Sequence, residues 1–197
     1  MTAHPGHYRL YRTLHFLSAF FAAVFIVETC RAASPEEALS RARSLFYESV
    51  EDRQAVEPAM ALFRKIGAQG TQEGLAMTYI GALTALQGKY ALFPMTKYRR
   101  AKKGIALMNR GVAMDPDQIE SRFVRGMTCY YLPFFFHMKE TALLDFQVLI
   151  RLLETEYGDY DAGIVGHIID FLLNNVPLSE EEMRIIQYVQ DQIGRAG

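Results

Sequence analysis

Signals that start and stop helices recur at a nearly fixed interval along this chain. That interval limits the folds open to it more than any other feature. Every second helix opens near residues 53, 97, 139 and 180, a period of roughly 40–45 residues. A segment of that length is one helix pair. A single pair cannot bury its own apolar faces and must stack on the next. The pattern is plainest between Lys97 and Leu153. There a helix is stopped by Asp115-Pro116, a second helix follows, an aromatic connector interrupts, and a third helix returns.

The individual helices have physical starts and stops. Ser34-Pro35-Glu36-Glu37 suits a helix N-terminus, because a serine cap, a first-turn proline and acids all favour that end. Leu39, Ala42, Phe46 and Val50 follow at helical spacing. Asp52 is expected to cap a second helix carrying Ala59, Phe63 and Ile66, which ends at Gly67 to Gly70. A third runs from Thr71 to Gly88 and a fourth from Lys97 to Met114, where Pro116 forbids continuation. The fifth spans Gln118 to Leu132, the sixth Lys139 to Tyr157 and the seventh Asp161 to Asn174. Ser179-Glu180-Glu181-Glu182 is a capping box opening the eighth. No segment alternates with period two between turn signals, so no sheet is expected. Gly81, Gly126 and Gly166 lie mid-way along the third, fifth and seventh helices, where small residues would let neighbours approach closely.

Residues 1–32 read as a segment of their own. Arg9 and Arg12 precede an apolar run from Leu14 to Val27, and Cys30-Arg31-Ala32 offers small residues at the positions a signal peptidase inspects. This is the layout of a secretory signal peptide. As a helix the run reaches about 21 Å at 1.5 Å per residue, short of a ~30 Å hydrocarbon core. The expected organisation is therefore a signal peptide over 1–32 and one helical domain over 33–197, periplasmic or secreted. The alternative is membrane association, through an uncleaved leader or a lipid on Cys30. That cysteine has an aliphatic residue three places before it, as bacterial lipoprotein leaders do, but Glu28 departs from their pattern.

The 197 residues are half apolar and carry a formal net charge of −1. Without the leader about 165 residues remain, enough for one domain with a real core. Near-neutral charge argues against a nucleic-acid binder. Two distant cysteines, Cys30 and Cys129, do not make a disulfide framework.

Gly104, Met108, Gly111, Val112, Met114 and Pro116 fall on the spacing of the second helix of a tetratricopeptide (TPR) repeat, which the chain resembles. Ala59-Phe63 and Ala142-Phe146 repeat the first part of that spacing, so the resemblance covers mostly residues 55–157. Arg122 and Arg125 stand where the family has large apolar residues, Leu149 replaces a small one, and two connectors are longer than the family's turns. The resemblance implies a solenoid of about four antiparallel helix pairs. It also implies a scaffold that holds a peptide or partner protein in a concave groove. The LFP and LPFF connectors look like those of bacterial TPR-like proteins.

Candidate chemistry is sparse. G-x-S-x-G, H-E-x-x-H and P-loop motifs are absent from the sequence. His137, His167 and Asp170 are the nearest approach to a metal set, and surface or packing roles suit them better. Cys129 sits among Met127, Tyr130 and Tyr131 as a small core residue. No catalytic residue, metal or cofactor is expected. Two clusters stand out instead: the basic turn with Lys97, Arg99, Arg100, Lys102 and Lys103, and the tract Tyr130, Tyr131, Phe134, Phe135 and Phe136. Each has an ordinary reading, as a solvated helix face and as filling between helix pairs. Each also has a binding reading. Equivalent positions of successive repeats stack on one side of a solenoid. Lys97, Arg99, Arg100 and Lys103 are therefore expected to border the surface that carries Tyr131, Phe134, Phe135 and Phe136.

The expected function is a non-enzymatic protein or peptide interaction module of the bacterial periplasm or cell envelope, with an acidic, hydrophobic partner segment. The alternative is a carrier of a small apolar ligand, with a cavity lined by the LFP and LPFFF connectors.

Overall fold

The computed structural model describes residues 34–196, so the leader and Cys30 lie outside the described residues. The unit that carries the helices runs from Glu37 to Gly197. Among the described residues the fold is all-α, with eight α-helices and no strand. They are α1 (Pro35–Glu48), α2 (Val56–Gly67), α3 (Glu73–Lys89), α4 (Pro94–Met114), α5 (Ile119–Tyr131), α6 (Lys139–Glu156), α7 (Ala162–Asn175) and α8 (Glu180–Ala196). Single turns of 3₁₀-helix occupy Arg53–Ala55, Phe134–Phe136 and Tyr157–Asp159.

Most ends follow from the local sequence. Asp161 Oδ1 accepts from the backbone N–H groups of Gly163 and Ile164 at the start of α7. At α8 the reciprocal capping box forms: Ser179 N donates to Glu182 Oε2 at 2.8 Å, and Glu182 N to Ser179 Oγ at 3.3 Å. Two starts differ from expectation. Asp52 caps the short 3₁₀ turn through Gln54 N, and α2 begins only after that turn. Helix α4 opens at Pro94, three residues before Lys97, because proline at the first position loses no hydrogen bond the helix needs.

Helix α3 is the hub. It packs on α2, on α5 and most extensively on α4. It buries Leu75, Tyr79, Ala82 and Leu83 as well as Thr78 and Thr84, whose hydroxyls donate to carbonyls four residues earlier in the same helix. The seam with α4 is made by glycines seven residues apart, a spacing that returns to one helix face. A Cβ on Gly104 would stand 2.5 Å from the Gly81 carbonyl oxygen, and one on Gly111 would stand 2.6 Å from that of Gly74. Gly88 faces the Lys97 backbone at the same seam. The order 74 with 111, 81 with 104 and 88 with 97 makes the two helices antiparallel and sets their backbones in contact.

Helix α5 packs on α6, where Gly126 lies beneath the Phe146 ring; a Cβ there would stand 2.6 Å from Phe146 Cε1. Gly166 does not repeat this. A Cβ at that position meets nothing within 4 Å, so the expected close approach in α7 is absent. The neighbouring turns bury Val165, Ile168 and Ile169 instead, so larger side chains set the distance. One apolar core joins all eight helices, from Leu39 in α1 to Val189 in α8.

A candidate binding groove between two connectors

The two long connectors meet across a groove. The first turns of α4, just after the α3–α4 connector, deliver Pro94, Lys97 and Tyr98, and the α5–α6 connector delivers Leu132, Pro133, Phe135 and Phe136. The two sides are joined by the Tyr98 and Phe136 rings, stacked with centroids 5.4 Å apart and planes at 17°. The floor comes from Ala82, Ala85 and Leu86 of α3 and Ala101 of α4, with Met127 and Thr128 of α5 and Phe46 and Val50 at the α1 end. The volume is about 750 Å³ and the lining is almost wholly apolar. The small side chains of Ala82, Ala85 and Ala101 create the space, because they line it where larger residues would fill it.

Most polar groups at the groove are already engaged. Thr128 Oγ1 donates to the Val124 carbonyl at 2.7 Å within its own helix. Lys89 Nζ donates to the Val50 carbonyl at 2.6 Å and faces Glu51 at 3.7 Å. The Tyr131 hydroxyl donates to Asn175 Oδ1 at 3.2 Å. Lys97 is different: among the described residues it has no ion pair and no hydrogen-bonded side-chain partner. An apolar groove therefore carries one uncommitted cation in its wall.

Of the residues singled out for partner binding, Lys97, Tyr131, Phe135 and Phe136 line this groove. Arg99, Arg100, Lys103 and Phe134 do not. Arg99 and Lys103 are exposed on the solvent side of α4, and Arg100 donates to Gln87 Oε1 at 2.7 Å. Phe134 points away from the groove but keeps an edge contact with Phe135. Tyr130 turns inward and donates to the Asn175 carbonyl, with Lys139 Nζ 3.1 Å above its ring. The aromatic tract thus divides into Tyr130 and Phe136, half-buried against the core, and Tyr131, Phe134 and Phe135, which are exposed. The floor from α3 and the stacking partner Tyr98 were not anticipated. The alanines at 82, 85 and 101 were the available signal.

Two buried carboxylates, both missed from the sequence, hold the helices around the groove. Glu120 of α5 accepts from Arg43 Nε at 2.7 Å, from Arg43 Nη2 at 2.5 Å and from the Tyr79 hydroxyl at 2.5 Å, so it ties α1, α3 and α5 together. Burial, reinforced by the Glu120 charge, pushes the Tyr79 hydroxyl well above its usual range, so it stays a donor. Asp145 of α6 is fully buried. It accepts from Arg122 Nη1 at 3.0 Å and from Arg125 Nε and Nη2 at 2.7 and 2.6 Å. This explains the two arginines at positions where the TPR pattern has apolar residues: they serve a buried acid on the next helix. Cys129, beside this network, is buried. Desolvation, then the Asp145 charge, pushes its thiol up to about 12, which leaves it unreactive as a nucleophile at neutral pH.

His137 and His167 stay apart in role. His137 terminates the 3₁₀ turn in a left-handed conformation at φ 54°, and the exposed His167 ring makes an edge contact with Tyr47. Among the described residues no three of His, Cys, Asp and Glu are grouped to hold a metal ion. No protein family, curated protein or solved structure matches the chain.

Proposed function

We propose that this chain is a non-enzymatic, TPR-like interaction module that takes an apolar segment of a partner protein into the groove between its two long connectors. The observation that carries this reading is the groove itself: about 750 Å³, nearly all apolar, open to solvent, with Lys97 uncommitted in its wall. Apolar side chains of a partner would gain by leaving water there, and a carboxylate beside them would pair with Lys97. The repeated burial of a small residue with a large one four later supports the TPR-like arrangement of helix pairs. Ala59 with Phe63, Gly104 with Met108 and Ala142 with Phe146 are instances of it in second helices of the pairs. The Arg9-to-Ala32 layout, that of a secretory signal peptide, supports a location outside the cytoplasm, in the periplasm or at the envelope.

The test is affinity capture from envelope extracts, followed by mass spectrometry, with three baits: the parent, Lys97→Glu and Thr128→Trp. The last places an indole in the groove from a half-buried wall position. A partner recovered by the parent and lost by both variants supports the reading. Equal recovery by all three removes the groove from it.

The volume supports a second reading, since it lies within the range of small-molecule sites, roughly 300–1,000 Å³. A carrier of a small apolar ligand would retain that ligand through purification. Native mass spectrometry before and after organic extraction decides this, with an unchanged mass counting against it.

A further inference from the structure

The most exposed large apolar side chains in the described residues do not line the groove. They stand at the tips of the two connectors beside it: Leu92 is 89% exposed, Phe93 71% and Phe134 90%. Met95, on the first turn of α4, is exposed as well. Single exposed apolar residues are ordinary on proteins, but several gathered at neighbouring loop tips are not. The two tips are neighbours, because Tyr98, in the first turns of α4 after the Phe93 tip, stacks on Phe136 of the α5–α6 connector, and Phe134 adjoins Phe135.

A second feature lies beside these tips. Helix α4 carries six cations, Lys97, Arg99, Arg100, Lys102, Lys103 and Arg110, and no acid. In a chain of net charge −1 this is a local concentration of one sign. None of the six is in an ion pair among the described residues. Arg99, Lys102 and Lys103 are exposed on consecutive turns directly after the Phe93 tip.

The two features together select the occupant. Protein interfaces enrich arginine and aromatic residues but deplete lysine, and two of the three exposed cations after the Phe93 tip, Lys102 and Lys103, are lysines. A bilayer with anionic headgroups is a diffuse negative plane over an apolar layer, and it takes flexible cations and shallow apolar tips at once. Among the described residues no helix is long and apolar enough to cross a membrane. We propose that the tips Leu92, Phe93 and Phe134 enter the headgroup region of an anionic bilayer, with Arg99, Lys102 and Lys103 set against lipid phosphates. This goes beyond the groove reading, and its tips and cations lie outside the groove lining. If both hold, the groove opens next to the membrane and takes its partner segment there.

The chain contains no tryptophan, so Phe134→Trp in the full chain provides a lone indole at one tip. The probes are vesicles of phosphatidylcholine alone and vesicles of phosphatidylcholine mixed with phosphatidylglycerol. The indole emission should shift to the blue, and be quenched by brominated acyl chains, only on the anionic vesicles. Raising salt should reverse the shift, since exposed charges are screened within about 8–10 Å at ordinary ionic strength. Adding Arg99→Glu, Lys102→Glu and Lys103→Glu should weaken partitioning by roughly a hundredfold or more. Phe93→Trp should report the same shift from the second connector, and the salt arm stands even where the charge reversals impair folding. Vesicle binding with unshifted emission would mean that another part of the chain binds lipid, and it overturns the proposal. Equal shifts on neutral and anionic vesicles also overturn it. So does an emission shift that requires a captured protein partner and not lipid, which would reassign the surface to a protein.

Discussion

The α3–α4 and α5–α6 seams solve the same packing problem by opposite means. Between α3 and α4 the side chains are removed, and Gly74, Gly81, Gly104 and Gly111 let backbone meet backbone. Between α5 and α6 charged side chains are brought inside, and Asp145 is clamped by Arg122 and Arg125. The first seam depends on shape alone and cannot accept volume. The second depends on mutual neutralisation and cannot accept the loss of one partner. The groove lies on the steric seam, with Ala82, Ala85 and Gly88 of α3 and Ala101 of α4 in its lining, and α5, which carries one half of the ionic seam, adds Met127 and Thr128.

The glycine seam should break hardest. At Gly111 a new side chain meets the Thr78 hydroxyl and, behind it, the Gly74 carbonyl and Thr78 N of the α3 backbone, which cannot rotate away as a side chain would. Gly111→Leu should cost beyond about 5 kcal/mol and abolish the cooperative melt. Circular dichroism melts check this, and a sharp transition near the parental temperature would mean that the helices can separate cheaply.

The ionic seam comes next. Asp145→Leu leaves two arginines buried without their acid and should cost about 3–5 kcal/mol by urea titration. The comparison sharpens in the triple variant Arg122→Leu, Arg125→Leu, Asp145→Leu, which should recover most of that loss because no charge remains unpaired. Equal instability of the single and triple variants would show that the network contributes net attraction beyond mutual neutralisation.

Gly126 lies at the ionic seam but has a steric contact of its own, and that contact is the end of a side chain. Phe146 can yield in part, so Gly126→Leu should cost roughly 1–3 kcal/mol, less than the equivalent change at Gly111. Melting temperatures of the two glycine variants, measured side by side, test the ranking, and the reverse order would refute the distinction.

The smallest effect belongs to the surface. Arg99→Ala, Arg100→Ala and Lys103→Ala together should move stability by about 0.5 kcal/mol or less, since they are exposed and outside every ion pair. Partner capture should nevertheless fall in a salt-dependent way, because these charges sit beside Lys97 on the same helix. A large loss of stability would instead place these cations in the packing of α4.

All eight helices were legible in the sequence because their signals are local. Pro94, Pro116, Pro133 and Pro177 interrupt the chain, Asp161 and Ser179 cap, and apolar residues recur with the helical period. The glycine seam was half legible. Gly104 and Gly111 drew notice through the repeat pattern, yet the same seven-residue spacing in Gly74, Gly81 and Gly88 is what makes a matching face on α3. Gly166 shows the limit of that signal, since a glycine in mid-helix marks a close contact only where a neighbour is present. The two clusters of the candidate site were visible as composition. Which members converge was not, because Tyr130 is held by the Asn175 carbonyl while Tyr131, Phe135 and Phe136 line the groove beside Tyr98, and those partners are distant in sequence.

The sequence by itself determined the all-α class, most helix ends and the concentration of cations on α4, since each depends on residues within a few positions of one another. Only the tertiary structure decided the pairing of Glu120 with Arg43 and Tyr79, the pairing of Asp145 with Arg122 and Arg125, and the groove over α3. Those contacts join residues 20 to 77 positions apart. The physical reason is that a buried charge must find a counter-charge and a cavity must find its walls, and both searches run through space and not along the chain.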